Sequence, residues 1–229
     1  MNYIIALIVL CLAYALIIFL LNRFSVSDKL NLLFIAIVYI PYVLLCRTVY
    51  LDVGPHDWNF QNTLPVANVS PFMFSIMPLL LILPKKVKKY IYLLICLLSV
   101  GMFFSTVLGC VYNAVINYKF HWHFMLDYVS HFALSLFGVY LIKTKQVEVK
   151  PKECLKSSAI IFGVAGFLMV LNLIFDTSFF GLSLNGKHNI YNNVLVENSY
   201  LSALIYFVGL TVVLLLGYFY SRIFYKIEE

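Results

Sequence analysis

The chain has 229 residues, of which 63% are hydrophobic and 11% are charged, and its mean hydropathy is +0.94. Soluble domains carry about 25% charged residues, so this composition excludes a soluble globular protein and indicates an integral membrane protein. The net charge of +6 comes from short basic loops without a groove-reading motif, which argues against nucleic-acid binding. The length predicts a single membrane domain over residues 1–229.

Seven apolar stretches approach the roughly 20 residues that a helix needs to cross a bilayer. They lie at residues 2–22, 30–50, 65–84, 88–113, 123–142, 156–177 and 199–222. The third stretch contains Pro71 and Pro78, which a membrane helix tolerates where neighbouring groups satisfy the freed carbonyls. The pattern therefore predicts an all-α polytopic bundle of seven transmembrane helices.

Lysine and arginine are unevenly divided between the two sides of this predicted bundle. Most of the 16 basic residues lie in the loops 23–29, 85–89 and 143–156 and in the tail from residue 222. The other side holds only Arg47, Lys119 and Lys187. The positive-inside rule then predicts that the amino terminus is outside and the carboxyl terminus is cytoplasmic. The ending Glu228-Glu229, without a retention or lipidation motif, favours a bacterial plasma membrane.

The stretch 121–131 carries ionisable groups into the fifth apolar run. Asp127 and His131 are four residues apart, so on a helix they share one face, one turn apart. A charged residue at membrane depth costs about 2.5–3.5 kcal/mol on insertion scales, so it is usually turned inward and partnered. Two interpretations follow: a functional site, or a buried Asp-His hydrogen bond that locks two helices together.

Further polar residues are predicted to reach the same outer side. Asn172 and Asp176 repeat the four-residue spacing on the sixth predicted helix, and Arg47 lies near the end of the second. Two neighbouring helices would each present a polar stripe at about the same depth, which is more than an isolated buried pair requires. We therefore predict an outward-facing site in which His131 and Asp127 are catalytic and the other three residues contact the substrate.

Three chemistries fit this set of residues. In the first, His131 is a general base oriented by Asp127 that activates a hydroxyl, thiol or water for acyl transfer, while Arg47 or Asn172 stabilises negative charge. In the second, His121 and His123 join this pair as ligands of a divalent metal. In the third, there is no chemistry, and the cleft binds a lipid head group, a peptide or a partner helix.

The nucleophile is the missing part of the enzymatic interpretation. The serines nearest to the pair are Ser130, Ser178 and Ser199, and none of them lies in a nucleophile motif. The segment 179–196 alternates apolar and polar residues and is predicted to lie on the bilayer surface or to cover the cleft as a lid. No cofactor is predicted.

From Leu64 onward the chain resembles the YwaF-like family of seven-span integral membrane proteins, which is similar to a eukaryotic transmembrane phospholipid acyltransferase. The resemblance rests on three features: Leu64-Pro65, the stretch from Asp127 to His131, and Asn172 ahead of the Phe179-Phe180 turn. After the Leu-Pro pair the family pattern places a histidine and then a cysteine, which look like catalytic candidates. Here those positions are Ala67 and Val69.

Two functions of different classes are therefore predicted. The first is acyl transfer or hydrolysis on a lipid or lipid-linked substrate at the outward-facing site. The second is a non-catalytic membrane subunit that binds a lipid, peptide or transported solute and acts with a partner protein. Membrane lipid is the expected partner in both, and nucleic acid in neither.

Overall fold

A computed structural model describes residues 3–24, 28–50, 68–116, 122–175, 179–182 and 199–227. These residues form eight α-helices: α1 Tyr3–Arg23, α2 Asn31–Tyr50, α3 Val69–Ile76, α4 Leu79–Ile82, α5 Lys85–Ile116, α6 Trp122–Lys143, α7 Pro151–Phe175 and α8 Ser199–Ile227. Two short 3-10 turns, Asp28–Leu30 and Phe179–Gly181, accompany them. No β-strand occurs in these ranges, so the predicted all-α class is confirmed.

Five of the described helices are long and apolar enough to cross a membrane, namely α1, α5, α6, α7 and α8. Helix α2 contains 20 residues, and the part of it whose side chains are described, Asn31–Cys46, is apolar. The prediction of a multi-pass membrane protein is therefore confirmed at the level of these five helices.

The predicted helix at 65–84 differs from the structure, because the chain forms two short helices, α3 and α4, around Pro78. Proline has no backbone N–H, and its ring clashes with the carbonyl four residues earlier, here that of Phe74. The Met77 N–H instead donates to the Phe74 carbonyl over 3.3 Å, which is a tighter, three-residue connection. Sequence hydropathy could not detect this break, because most residues around it are apolar. Pro41, by contrast, lies inside the continuous helix α2.

Helix α6 is the centre of the bundle and contacts α1, α2, α3, α5 and α8. In its most apolar 18-residue stretch, 78% of the residues are buried. Leu134, Phe137 and Tyr140 are fully enclosed, and the Phe137 ring stacks on Phe34 of α2 with 5.3 Å between ring centroids. This packing places Asp127 and His131, the two predicted catalytic residues on α6, beside the interior of the bundle.

Helix α5 lies between α6 and α8 and approaches both closely through glycines. A Cβ atom at Gly138 of α6 would lie 3.2 Å from the Cα atom of Cys96, and one at Gly217 of α8 would lie 1.7 Å from the Leu97 carbonyl oxygen. Two side-chain hydrogen bonds accompany these approaches: Cys96 Sγ donates to the Gly138 carbonyl, and Ser221 Oγ donates to the Cys96 carbonyl. Small residues that let backbones meet are typical of membrane helix interfaces.

Candidate functional site

Asp127 and His131 lie in the first half of α6, and the structure brings their side chains together. Nδ1 of His131 lies 2.9 Å from the backbone oxygen of Asp127 and 3.3 Å from its carboxylate Oδ1. A backbone carbonyl can only accept a hydrogen bond, so this geometry assigns the hydrogen to Nδ1. In the neutral imidazole, Nε2 then carries the lone pair.

The imidazole of His131 is buried against an aromatic ring. Phe74 of α3 meets it edge-on, with 4.9 Å between ring centroids and an interplanar angle of 87°, and Tyr42 of α2 packs behind Phe74 at 5.6 Å. The His131 side chain is 7% exposed and that of Asp127 is 25% exposed. Among the described residues, Nε2 has no hydrogen-bond partner. The site is thus a buried histidine whose ring is fixed at Nδ1.

Ser130, beside this pair in the sequence, is already engaged. Its hydroxyl donates to the Val38 carbonyl of α2 over 2.9 Å, and the residue is fully buried. This bond ties α6 to α2. The other two serines named from the sequence cannot be compared, because Ser178 and the side chain of Ser199 lie outside the described residues.

Asn172 of α7 is buried and fixes the turn that follows its helix. Its amide nitrogen donates to the carbonyls of Phe179, at 2.9 Å, and Leu182, at 3.1 Å, while its Oδ1 accepts from the Phe179 N–H at 2.8 Å. Three hydrogen bonds therefore connect one side chain to the turn. A helical asparagine followed seven residues later by a Phe-Phe-Gly turn is the sequence signal of this contact, although spacing alone does not identify the partners.

The turn held by Asn172 inserts an aromatic ring between two helices. Phe180 is fully buried and packs against Phe72 of α3 and Tyr206 of α8, at centroid distances of 6.0 and 6.5 Å. Its φ angle is +56°, in the left-handed region that a non-glycine residue rarely adopts. The hydrogen bonds to Asn172 hold the backbone in this conformation.

The remaining predicted site residues are only partly within the described structure. Arg47 belongs to α2, but its side chain lies outside the description, and so does all of Asp176. The same holds for His121 and for the side chain of His123, so the predicted metal site is not tested. Within the ranges that the structure describes, no three His, Cys, Asp or Glu residues form a group that could hold a metal ion.

A second polar contact near Asp127 was not predicted from the sequence. Asn113 of α5 donates to the hydroxyl of Tyr128 and, over 3.0 Å, to the Gly109 carbonyl. Tyr128 is 3% exposed and contacts Phe124 one turn earlier on α6. Tyr128 is the residue after Asp127 on α6. The helix therefore presents the Tyr128 hydroxyl to α5 and the Asp127 carboxylate to His131. A tyrosine in an aromatic-rich stretch gives no sequence signal of such a partner.

The basic loops form ion pairs at the opposite end of α6. Glu153 lies 2.9 Å from both Lys89 and Lys156, and Glu148 lies 2.8 Å from Lys150. The hydrogen bond from Lys150 lowers the pKa of the Glu148 carboxyl. Exposed ion pairs contribute little to stability, so these residues are explained as a charged surface at this end of the helix.

The sequence matches the TMEM164 family over residues 1–221, which is nearly the whole chain. No curated protein and no solved structure matches it. The match confirms a membrane-protein family, whereas the resemblance to the YwaF-like family is not confirmed by it.

Proposed function

We propose that this chain, which belongs to the TMEM164 family, acts on a lipid or lipid-linked substrate by acyl transfer or hydrolysis, with His131 as the general base. The observation that carries the proposal is the geometry at Nδ1. The Asp127 carbonyl at 2.9 Å and its carboxylate at 3.3 Å fix the ring and its tautomer. The basic nitrogen, Nε2, is then directed away from Asp127, which is the arrangement that general-base catalysis needs.

In this proposal Nε2 takes the proton from a water or hydroxyl as its oxygen bonds to the acyl carbonyl carbon. The same proton then passes to the departing alkoxide as the ester bond breaks. Asp127 stabilises the imidazolium between these steps. Arg47 and Asp176 contact the substrate, and Asn172 contributes through the turn that its three hydrogen bonds hold. The residues His121 and His123 complete a metal site only in the second chemistry described above.

The proposal includes a seven-span topology with the amino terminus outside. Five described helices meet the length and apolarity of a membrane span. Helix α2, with 20 residues, and the pair α3 and α4 together supply the other two. The basic loops lie on the cytoplasmic side of a bacterial plasma membrane, and the Asp127–His131 pair lies toward the outer side.

A non-catalytic lipid-binding subunit that works with a partner protein is the second candidate. It is favoured by the engagement of polar groups in structural hydrogen bonds: Ser130 with Val38, and Asn172 with its turn. The positions at which the resembled family carries histidine and cysteine are Ala67 and Val69 here. Under this candidate, the contact between His131 and Asp127 only stabilises one turn of α6.

The test compares variants of the purified protein in phospholipid nanodiscs, with acyl products measured by mass spectrometry. We expect His131→Ala to lower turnover by about 10²–10⁴-fold, the usual contribution of a general base. Asp127→Asn should lower it less, since the backbone carbonyl still orients Nδ1. Ser130→Ala is the matched control, because it removes a buried hydrogen bond from the adjacent residue without touching the proposed chemistry.

Thermal unfolding of each variant separates catalysis from folding. A folded His131→Ala protein that retains turnover would exclude the general-base role. If wild type forms no product, and His131→Ala and Ser130→Ala lose similar stability, the non-catalytic candidate is favoured instead.

A further inference from the structure

A cavity of about 340 Å³ lies between α3, α5 and α8, and neither Asp127 nor His131 lines it. Its volume falls within the range of about 300–1,000 Å³ that is typical of ligand pockets. Most of its lining is apolar, and three hydroxyl groups accompany the apolar surface. The lining residues that carry the argument are Ser70 of α3, Gly101 and Ser105 of α5, and Ile205, Tyr206 and Gly209 of α8.

The cavity opens toward the surface of the bundle. Ser105 and Gly209 are exposed, and Ile205 is 40% exposed. The same residues belong to the candidate membrane spans Lys85–Val115 and Ala203–Phe224. The solvent around a membrane span is hydrocarbon, so we expect the opening to face lipid chains.

Gly209 contributes open space to the cavity. A Cβ atom built at this position meets no atom within 4 Å, whereas one at Gly101, across the cavity, would meet Val213 at 2.5 Å. The lack of a side chain at Gly209 thus leaves a gap on the α8 side that neighbouring residues do not fill.

One wall of the cavity is connected to the turn that Asn172 holds. Tyr206 lines the cavity, and its ring packs against the buried Phe180. Phe180 in turn meets Phe72 of α3. The aromatic contact therefore braces α8 against α3 on this side of the cavity.

We propose that this cavity binds a fatty acyl chain of a membrane lipid, which enters between α5 and α8. A partner helix is about 10–12 Å across with its side chains, too wide for a space of this volume, whereas a single acyl chain is narrow and flexible. The apolar lining matches hydrocarbon. The choice of a lipid as occupant rests on the proposed function.

Helix α3 connects the cavity to the candidate catalytic pair. Ser70 lines the cavity, and Phe74, four residues later, meets the His131 ring. Residues four apart lie on the same side of a helix, about one turn apart. A chain held in the cavity would thus place its lipid within one helical turn of the contact with His131.

The experiment uses nanodiscs of phosphatidylcholine that contain a small fraction of phosphatidylcholine with a photoreactive diazirine on one acyl chain. After illumination, labelled peptides are mapped by mass spectrometry. We expect labels on α3, α5 and α8 residues that line the cavity. Gly209→Leu should lower this labelling at least about fourfold, the loss expected when even one methylene group, about 0.8 kcal/mol, no longer fits. Ser105→Leu fills the space from the facing helix and should act in the same direction.

Gly163→Leu is the matched control. Gly163 of α7 is also exposed, its Cβ position also meets no atom within 4 Å, and it does not line the cavity. Labelling should stay at the wild-type level in this variant. Labels spread evenly over the lipid-facing helices, or labels that Gly209→Leu and Ser105→Leu leave unchanged, would overturn the proposal.

The same samples separate this proposal from the proposed function. His131→Ala should be labelled like wild type, since His131 does not line the cavity. Labelling at the cavity without any product supports the cavity and rejects the enzymatic function. Product formation without labelling at the cavity rejects the cavity and leaves the enzymatic function in place.

Discussion

Helices α1 and α6 differ in hydropathy and in burial, and the more apolar of the two is the less buried one. The opposite is expected in a water-soluble protein. The most apolar stretch of α1 has a mean hydropathy of 3.3, yet only 17% of its residues are buried. The corresponding stretch of α6 has a mean hydropathy of 1.4, and 78% is buried. Lipid tails are as apolar as leucine, so an apolar side chain gains little by leaving them. In this bundle the most apolar helix therefore lies at the periphery.

The polar residues of α6 explain why it occupies the centre. Ser130 donates to the Val38 carbonyl, His131 pairs with Asp127, and Ser135 shares a hydrogen bond with Tyr14 of α1. Each of these groups would be costly if it faced hydrocarbon without a partner. A central position supplies the two serines with partners from α1 and α2, and the least apolar of the five long helices is therefore the most buried one.

The largest effect is expected from a close approach on a peripheral helix. Only 22% of the most apolar stretch of α8 is buried, but Gly217 lies against the α5 backbone. Gly217→Ala places a Cβ atom 1.7 Å from the Leu97 carbonyl oxygen, so α8 must move away. We expect the free energy of unfolding to fall by about 1–3 kcal/mol or more, as in overpacked interiors. Unfolding in a mixed-detergent titration measures it.

Gly209→Ala on the same helix is the control, since its added Cβ meets no atom within 4 Å. It should be nearly neutral. Equal losses of unfolding free energy for the two variants would mean that α8 responds to the loss of any glycine. The contrast between the tight contact at Gly217 and the lipid-facing remainder of α8 would then be wrong.

The second effect concerns a single polar side chain on another peripheral helix. Asn172→Ala removes three hydrogen bonds and leaves the Phe179 N–H and the Leu182 carbonyl without the Asn172 side chain, whereas the Phe179 carbonyl still accepts from the Leu182 N–H. A buried group left unsatisfied costs about 1–3 kcal/mol. We expect a loss of that size in the same titration, together with faster proteolysis near Phe179. The adjacent Leu173→Ala, at a residue that is 49% exposed, is the control and should change little. A neutral Asn172→Ala would show that the turn holds without this side chain.

These contacts also show which parts of the structure could be predicted from the sequence. Helices α1, α5, α6, α7 and α8 follow from long apolar runs, because hydropathy measures what a membrane span requires. The break at Pro78 does not follow, because a membrane helix can keep a proline, as α2 does at Pro41. Whether a proline breaks the helix depends on neighbouring groups that the local sequence does not contain.

The candidate site shows the same division. The contact of Asp127 with His131 was predictable, because a spacing of four residues on one helix places both on one face. The three partners of Asn172 were not, since they are backbone groups beyond the end of its helix. The ring of Phe74 over His131 depends on how α3 packs against α6 and has no local signal. The roles of Arg47 and Asp176 stay predictions.

The smallest effect is expected from the hydrogen bond between α1 and α6. Tyr14 Oη and Ser135 Oγ lie 2.9 Å apart, and both residues are buried. Tyr14→Phe and Ser135→Ala, alone and combined, form a double-mutant cycle that isolates this bond from the other contacts of the Tyr14 ring with Phe103 and Phe132. Side-chain hydrogen bonds between membrane helices average about 0.6 kcal/mol, with a maximum near about 1.7 kcal/mol, and we expect a coupling in that range. A coupling of zero would mean that this hydrogen bond contributes nothing to the attachment of α1 to α6.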